Sequence, residues 1–216
     1  MPLLLYCITE ACPAANTTQA GVFGRTVSTV DESGLRCFVS EIPDAINLSR
    51  EAKQAAVAFN RVLQDLLQKT AVIPFRFPTV LQDNDKVAVL LREHAAESKR
   101  SLSWLENMVQ MELLIGFSNG NVVGKSDSRS GADYLRSRQE RYHSLATVAA
   151  ELTADLAHHM KSSRQRTSPS GARIYALVPR SSVQEFRQRA AQLKIPATLT
   201  ARVTGPWPAT EFLEDN

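Results

Sequence analysis

The sequence predicts an α+β protein with two sheet-containing lobes divided near residues 106 to 110. Three observations predict it. Short apolar or alternating runs bounded by turn residues recur in both halves, at 3–8, 35–42, 109–115, 174–178 and 197–203. Longer stripes with a 3.6-residue period lie between them. At 216 residues the chain can form one large core or two small ones, and strands alternate with helices on both sides of the division. Residues 1–107 are therefore assigned to an N-terminal α+β domain and 108–216 to a C-terminal α+β domain.

The first element is the apolar run LLLYCI, 3–8, which reads as a buried strand. FGRTVSTV (23–30) and LRCFVSEI (35–42) flank the turn signal DESG and predict a hairpin. From Asn47, the spacing Ala52, Ala55, Ala56, Phe59, Val62, Leu63, Leu66, Leu67 predicts a helix, with Asn47 or Ser49 as N-cap. In TAVIPFRFPTVL, Ile73, Phe75 and Phe77 alternate with Pro74, Arg76 and Pro78, so this extended segment belongs at a sheet edge. Val87, Leu90, Leu91, Ala95, Leu102 and Leu105 mark a second helix, and VQMELLI (109–115) a strand.

The stretch 118–131 is the most loop-like in the chain. After it, Leu135, Tyr142, Leu145, Ala149, Leu152 and Leu156 form a stripe that predicts a helix to about residue 161, roughly 45 Å long, of a kind that often has a partner helix. IYALV (174–178) reads as a strand. Ser182 and Glu185 have capping-box spacing for a helix through Leu193, and ATLTARV (197–203) is the last strand.

Composition narrows the function. With 44% hydrophobic and 22% charged residues, neither a disordered chain nor a membrane protein is indicated. A formal charge of +3 is too small to point to nucleic acid without a concentrated patch. Cys7, Cys12 and Cys37 are odd in number and form no CxxC pair, so they are expected to be reduced and mostly buried. LLLYCI lacks a preceding basic residue and is too short for a signal sequence or a bilayer span, so a cytoplasmic location is expected.

Two catalytic patterns fall in the central loop, and neither has the surroundings it needs. GFSNG (116–120) has the G-x-S-x-G spacing, but the residues after it are too polar and glycine-bearing for the helix that lifts a nucleophile, so Ser118 reads as a loop serine. GNVVGKS (120–126) has three residues between its glycines where a phosphate loop has four, and KSDSRSG is a poor helix start after Lys125. His158 and His159 are adjacent, so on a helix they point about 100° apart and do not share one metal. The basic runs at 136–141, 164–166 and 187–189 lie on or beside predicted helices without interleaved aromatics, and read as solvated faces. Arg76, between two phenylalanines, is expected to find a carboxylate.

One stretch remains without a role. In VTGPWPATEF (203–212), Pro206 and Pro208 stiffen the chain on both sides of Trp207, making either a lid on the protein's own core or an anchor for a partner.

This stretch, together with two others, resembles the gas vesicle GvpL/GvpF family. AVIPFRFPTVL is similar to its proline-x-Arg-Phe-Gly-Thr-Val segment, SGADYLRSRQ to the opening of its long helix, and VTGPWPATEF to its terminal Gly-Pro-Trp-Pro-Pro-Tyr-x-Phe. LLLYCI, LRCFVSEIP and IYALVPR fall where that family has strands. Pro78 stands where the family has glycine, and Ala209-Thr210 where it has Pro-Tyr. The resemblance implies a two-lobed α+β protein whose C-terminal lobe is ferredoxin-like with a long helix. It also implies a non-enzymatic accessory or minor structural protein, without cofactor or metal. Its partners would be the small gas vesicle shell protein and other gas vesicle accessory proteins, not nucleic acid or membrane. Trp207, Phe212, Arg76 and Phe77, which lie in the matching segments, are the candidate partner-binding residues. A nucleotide-binding enzyme built on the 116–126 loop, or a ferredoxin-like regulatory module outside gas vesicle formation, are the alternatives.

Overall fold

A computed structural model describes residues 1–43, 52–118, 131–168 and 170–215. The chain forms two compact units, Met1–Met108 with Trp207–Asn216, and Val109–Pro206. Each contains a four-stranded antiparallel sheet.

The first unit is built on β1 (Leu3–Glu10), β2 (Ser28–Glu32), β3 (Leu35–Glu41) and β4 (Ile73–Leu81), in the order β2-β3-β1-β4. The helices are α1 (Ala52–Leu67), α2 (Asn84–Glu93) and α3 (Ala95–Trp104). Leu3 through Thr9 are all buried, so both faces of β1 are covered, which is why this strand reads as a continuous apolar run. α1 and α3 both pack on β1 and β4, and α2 packs on β2, β3 and β4. α1 buries the expected stripe from Ala55 to Leu67. Its expected caps, Asn47 and Ser49, lie outside the described residues.

Three expectations change in this unit. The hairpin strands are shorter at their outer ends, and the turn is two residues, Ser33 and Gly34, with φ of 54° and 75°. Positive φ at both positions is the twist that a two-residue hairpin requires, and it releases Asp31 and Glu32 into the strand. Residues 22–24 form a short 3-10 turn in place of strand. The single helix expected over 87–105 is divided at His94, whose ψ of 12° ends α2. Asp83 caps α2 by accepting the Lys86 N–H at 2.9 Å. The Val87–Leu91 stripe then serves α2, while α3 buries Ser98, Ser101 and Leu102.

A buried network holds the 11–27 segment to this sheet. The Tyr6 hydroxyl accepts the Val22 N–H at 2.8 Å and donates to Ser40 Oγ at 3.1 Å, and Ser40 donates to the Thr26 carbonyl at 3.0 Å. A Cβ on Gly21 would collide with the Tyr6 hydroxyl, so only glycine permits this approach. Burial pushes the Tyr6 phenol above its ordinary value, against the two hydrogen bonds. Cys7 and Cys37 are buried, Cys12 is half-buried, and all three are free thiols. Burial raises Cys7 well above the ordinary thiol value and pushes Cys37 to about 12, leaving both unreactive.

The second unit runs β5 (Met108–Phe117), α4 (Gly131–Leu156), β6 (Ser162–Ser168), β7 (Gly171–Pro179), α5 (Val183–Ala191) and β8 (Leu199–Trp207), with sheet order β6-β7-β5-β8. This β-α-β-β-α-β succession with the first and third strands central is the ferredoxin-like arrangement. Its core joins Met111, Leu113 and Ile115 of β5 to Ile174, Ala176 and Val178 of β7, beneath Leu145, Ala149, Leu152 and Leu156 of α4 and Phe186 of α5. The partner of α4 is thus chiefly the sheet. Its earlier half leaves Leu135 and Tyr142 of the same stripe 63% and 46% exposed.

α4 ends at Leu156, and a 3-10 turn, Ala157–His159, takes the place of a continuation to residue 161. The basic run 164–166, expected on or beside a helix, instead lies in β6. That strand is SSRQRTS and contains no apolar residue, so alternation gives no signal; pairing with β7 makes it a strand. The capping box at Ser182 does not form. A 3-10 turn, Arg180–Ser182, leads into α5 and holds Ser182 at ψ 2°, outside the extended geometry from which its hydroxyl would reach back to the helix.

Candidate functional site

β4 is an edge strand, as the alternating proline segment predicts, and it carries a wide bulge. Leu5 pairs with Thr79 and Cys7 with Pro74, so the four residues Phe75–Pro78 stand opposite Tyr6 alone. Thr79 Oγ1 donates to the Arg76 carbonyl at 2.6 Å and closes the loop, and the Phe77–Pro78 peptide is cis. The bulge turns Phe77 inward and Arg76 outward. The Phe77 ring meets Phe59 of α1 edge-on, with centroids 5.2 Å apart, and Phe59 stacks on Tyr6 at 5.1 Å. Phe77 is half-buried and Arg76 exposed. The carboxylate expected for Arg76 is not found among the described residues, because the bulge carries the guanidinium away from the apolar surface.

The C-terminal strap begins at the end of β8 and runs to the chain's last turn. Gly205 has φ of 111°, and a Cβ there would lie 2.8 Å from the Gln110 carbonyl oxygen, so neither conformation nor space admits another residue. Arg187 of α5 donates to the Gly205 carbonyl at 2.5 Å, and the Gly205–Pro206 peptide is cis. From Trp207 the chain belongs to the first unit. Trp207 is half-buried, Pro208 and Ala209 are buried, and a 3-10 turn, Thr210–Asp215, packs against β4. Phe212 on that turn is 1% exposed.

The structure therefore brings together the two segments that carry the four candidate residues, although some 130 positions separate them. Arg76 is exposed, Phe77 and Trp207 present partial surface, and Phe212 is buried as the turn's anchor. Two contributors escaped sequence reading. Phe59, the ring behind Phe77, looked like any member of the α1 stripe, and Arg187 looked like part of a solvated basic run.

The other chemical candidates stand apart from this edge. The Ser118 hydroxyl donates to the Ala197 carbonyl at 3.2 Å and its N–H to the Thr198 carbonyl, so it ties β5's end to the segment before β8. Residues 119–130, with the phosphate-loop imitation and Lys125, lie outside the described residues. His158 is exposed and His159 half-buried at the end of α4. Among the described residues, no three His, Cys, Asp or Glu side chains are grouped to hold a metal. No helix among them is long and apolar enough to cross a membrane.

Fold and site define a two-unit α+β protein with an aromatic, arginine-bearing sheet edge covered by its own C-terminal turn. The family model described as gas vesicle synthesis protein GvpL/GvpF matches residues 2–214, and the chain belongs to that family. Among solved structures it is similar to gas vesicle protein GvpF from Anabaena sp. PCC7120, with 15% identity, a TM-score of 0.78, and coverage of 100% of this chain and 97% of that one. It is also similar to GvpF from Microcystis aeruginosa, with 16% identity, a TM-score of 0.72 and 99% coverage of each chain. At such identities the likeness is one of fold. Comparison with curated protein sequences finds no match.

Proposed function

We propose that this chain is a non-enzymatic gas vesicle assembly factor that binds the small amphipathic shell protein, acting in the cytoplasm and at the growing vesicle. One observation carries the reading: the Thr210–Asp215 turn packs on β4, which gathers two of the three family-like segments, AVIPFRFPTVL and the end of VTGPWPATEF, on one unit. Arg76, Phe77 and Trp207 form the contact surface, with Phe212 holding it in place. Partly buried aromatics beside an exposed arginine suit a partner that is apolar along one side and charged along the other. Other gas vesicle accessory proteins are the further partners.

A pull-down of purified shell protein with this chain tests the reading. Capture by the parent and loss with Arg76→Ala are expected; equal capture by both, or none by the parent, overturns it. Calorimetry with ATP separates the nucleotide-binding alternative. Micromolar binding abolished by Lys125→Ala would establish that alternative instead.

A further inference from the structure

The half-buried Trp207 stands between two fixed points of the strap, and one of them is held from outside it. On the C-terminal side, Pro208 and Ala209 are buried and Phe212 is 1% exposed. On the N-terminal side is Gly205, which conformation and space both require. Its φ is 111°, and a Cβ there would lie 2.8 Å from the Gln110 carbonyl oxygen and 3.0 Å from Met111 Sδ. Glycine also has the widest backbone freedom of any residue, so the chain just before Trp207 is intrinsically loose. β8 is moreover an edge strand of its sheet, and an edge leaves backbone groups without a ladder partner.

Arg187 answers that looseness. It follows Phe186, whose side chain is buried in the core of the second unit, so the helix that carries it is fixed to the sheet. Arg187 itself is exposed, and its Nη2 donates to the Gly205 carbonyl at 2.5 Å. A hydrogen bond from a charged donor is shorter and stronger than one between neutral groups. Its effect is carried forward along the chain, because Pro206 has a fixed φ and Pro208 restricts Trp207 in turn. The direction set at Gly205 therefore reaches the indole with little slack.

We propose that Arg187 is a positioning residue for partner binding: its bond to the Gly205 carbonyl holds the strap so that Trp207 is presented in one orientation. This role rests on the reading of Trp207 as a contact for the shell protein, and Arg187 acts on that contact through the strap. An anchor ordered before binding loses less freedom on association, which is how a bond to a neighbouring stretch of backbone changes affinity. Because Arg187 is exposed and lies outside the hydrophobic core, its loss should leave the fold intact.

Two variants of the full chain test this role: Arg187→Met, which keeps the length of the side chain without a donor, and Arg187→Lys, which keeps a donor. Calorimetry with purified shell protein should find Arg187→Met weakened by about three- to tenfold, with Arg187→Lys between it and the parent. Urea unfolding midpoints should stay at the parent value in both. In a Trp104→Phe background, where Trp207 is the remaining tryptophan, acrylamide should quench the emission more strongly once Arg187 is replaced by methionine. If Trp104→Phe does not fold, the calorimetry and the midpoints decide the matter. Arg187→Met binding as tightly as the parent would overturn the role; a loss with Trp207→Ala in the same assay would then leave the contact surface standing. A parent that does not bind the shell protein would overturn that surface and the role together. Lysine binding no tighter than methionine, unchanged quenching, or a midpoint lowered in step with binding would each overturn the role as well.

Discussion

β4 and β6 are both edge strands of four-stranded sheets and both carry outward-facing arginine, yet they solve the exposure of an edge differently. β4 has phenylalanines, one backed by Phe59, and receives the C-terminal turn of the chain. β6 has no apolar residue and is guarded by charge. An edge that buries side chains is held by packing, whereas an edge that buries none is held by its ladder to the neighbouring strand. The two should therefore differ in how strongly they respond to substitution.

The largest difference is expected from Phe212→Ala. It removes the anchor of the turn on β4 and should cost about 3 to 5 kcal/mol in a urea unfolding curve. Arg166→Gln on β6 should change stability by no more than about 0.5 kcal/mol in the same measurement. Comparable losses in both would end the distinction between the edges.

Tyr6→Phe sharpens the β4 side. The hydroxyl lies beneath the sheet that β4 borders, and its loss leaves the buried Val22 N–H without its acceptor, at about 1 to 3 kcal/mol. An unchanged unfolding midpoint would mean that the 11–27 segment is held in some other way.

How far these edges could be read from sequence depends on the same division. β1, α1 and the buried half of α4 declare themselves by apolar period, and β4 by its prolines and alternation. β6 has none of these signals, and the break at His94 interrupts a stripe that continues across it. In the site, Arg76, Phe77 and Trp207 stood in recognisable segments. Their meeting did not, because the contact of residues 210–215 with β4 is made by folding and leaves no local pattern. Phe212 looked like a binding residue for that reason, and it became an anchor only once the turn was seen to lie on β4.

A small effect is also expected at the far edge of the first sheet. Arg36 donates to both carboxylate oxygens of Asp31 at 2.8 and 2.7 Å, and these bonds hold Asp31 below its ordinary value of 3.8. A carboxyl lowered by folding adds stability that is complete above its ordinary value and is lost as the pH falls through the folded one. The Asp31 side chain is 47% exposed, so Asp31→Asn should cost less than about 1 kcal/mol near neutral pH. Its difference from the parent should shrink below pH 3.8, as acid unfolding curves would record.

Trp207 decides whether the packed edge also binds. It is half-buried while Phe212 on the same strap is fully so, which leaves part of the indole for a partner. Calorimetry of Trp207→Ala with purified shell protein, run beside a urea unfolding curve of the same sample, separates the two uses. We expect a loss of about 1 to 2 kcal/mol in stability, with the protein still folded, and a loss of about 2 kcal/mol or more in binding, roughly thirtyfold in Kd. A folded Trp207→Ala protein that binds the shell protein as tightly as the parent would contradict the assignment of this edge as the binding surface.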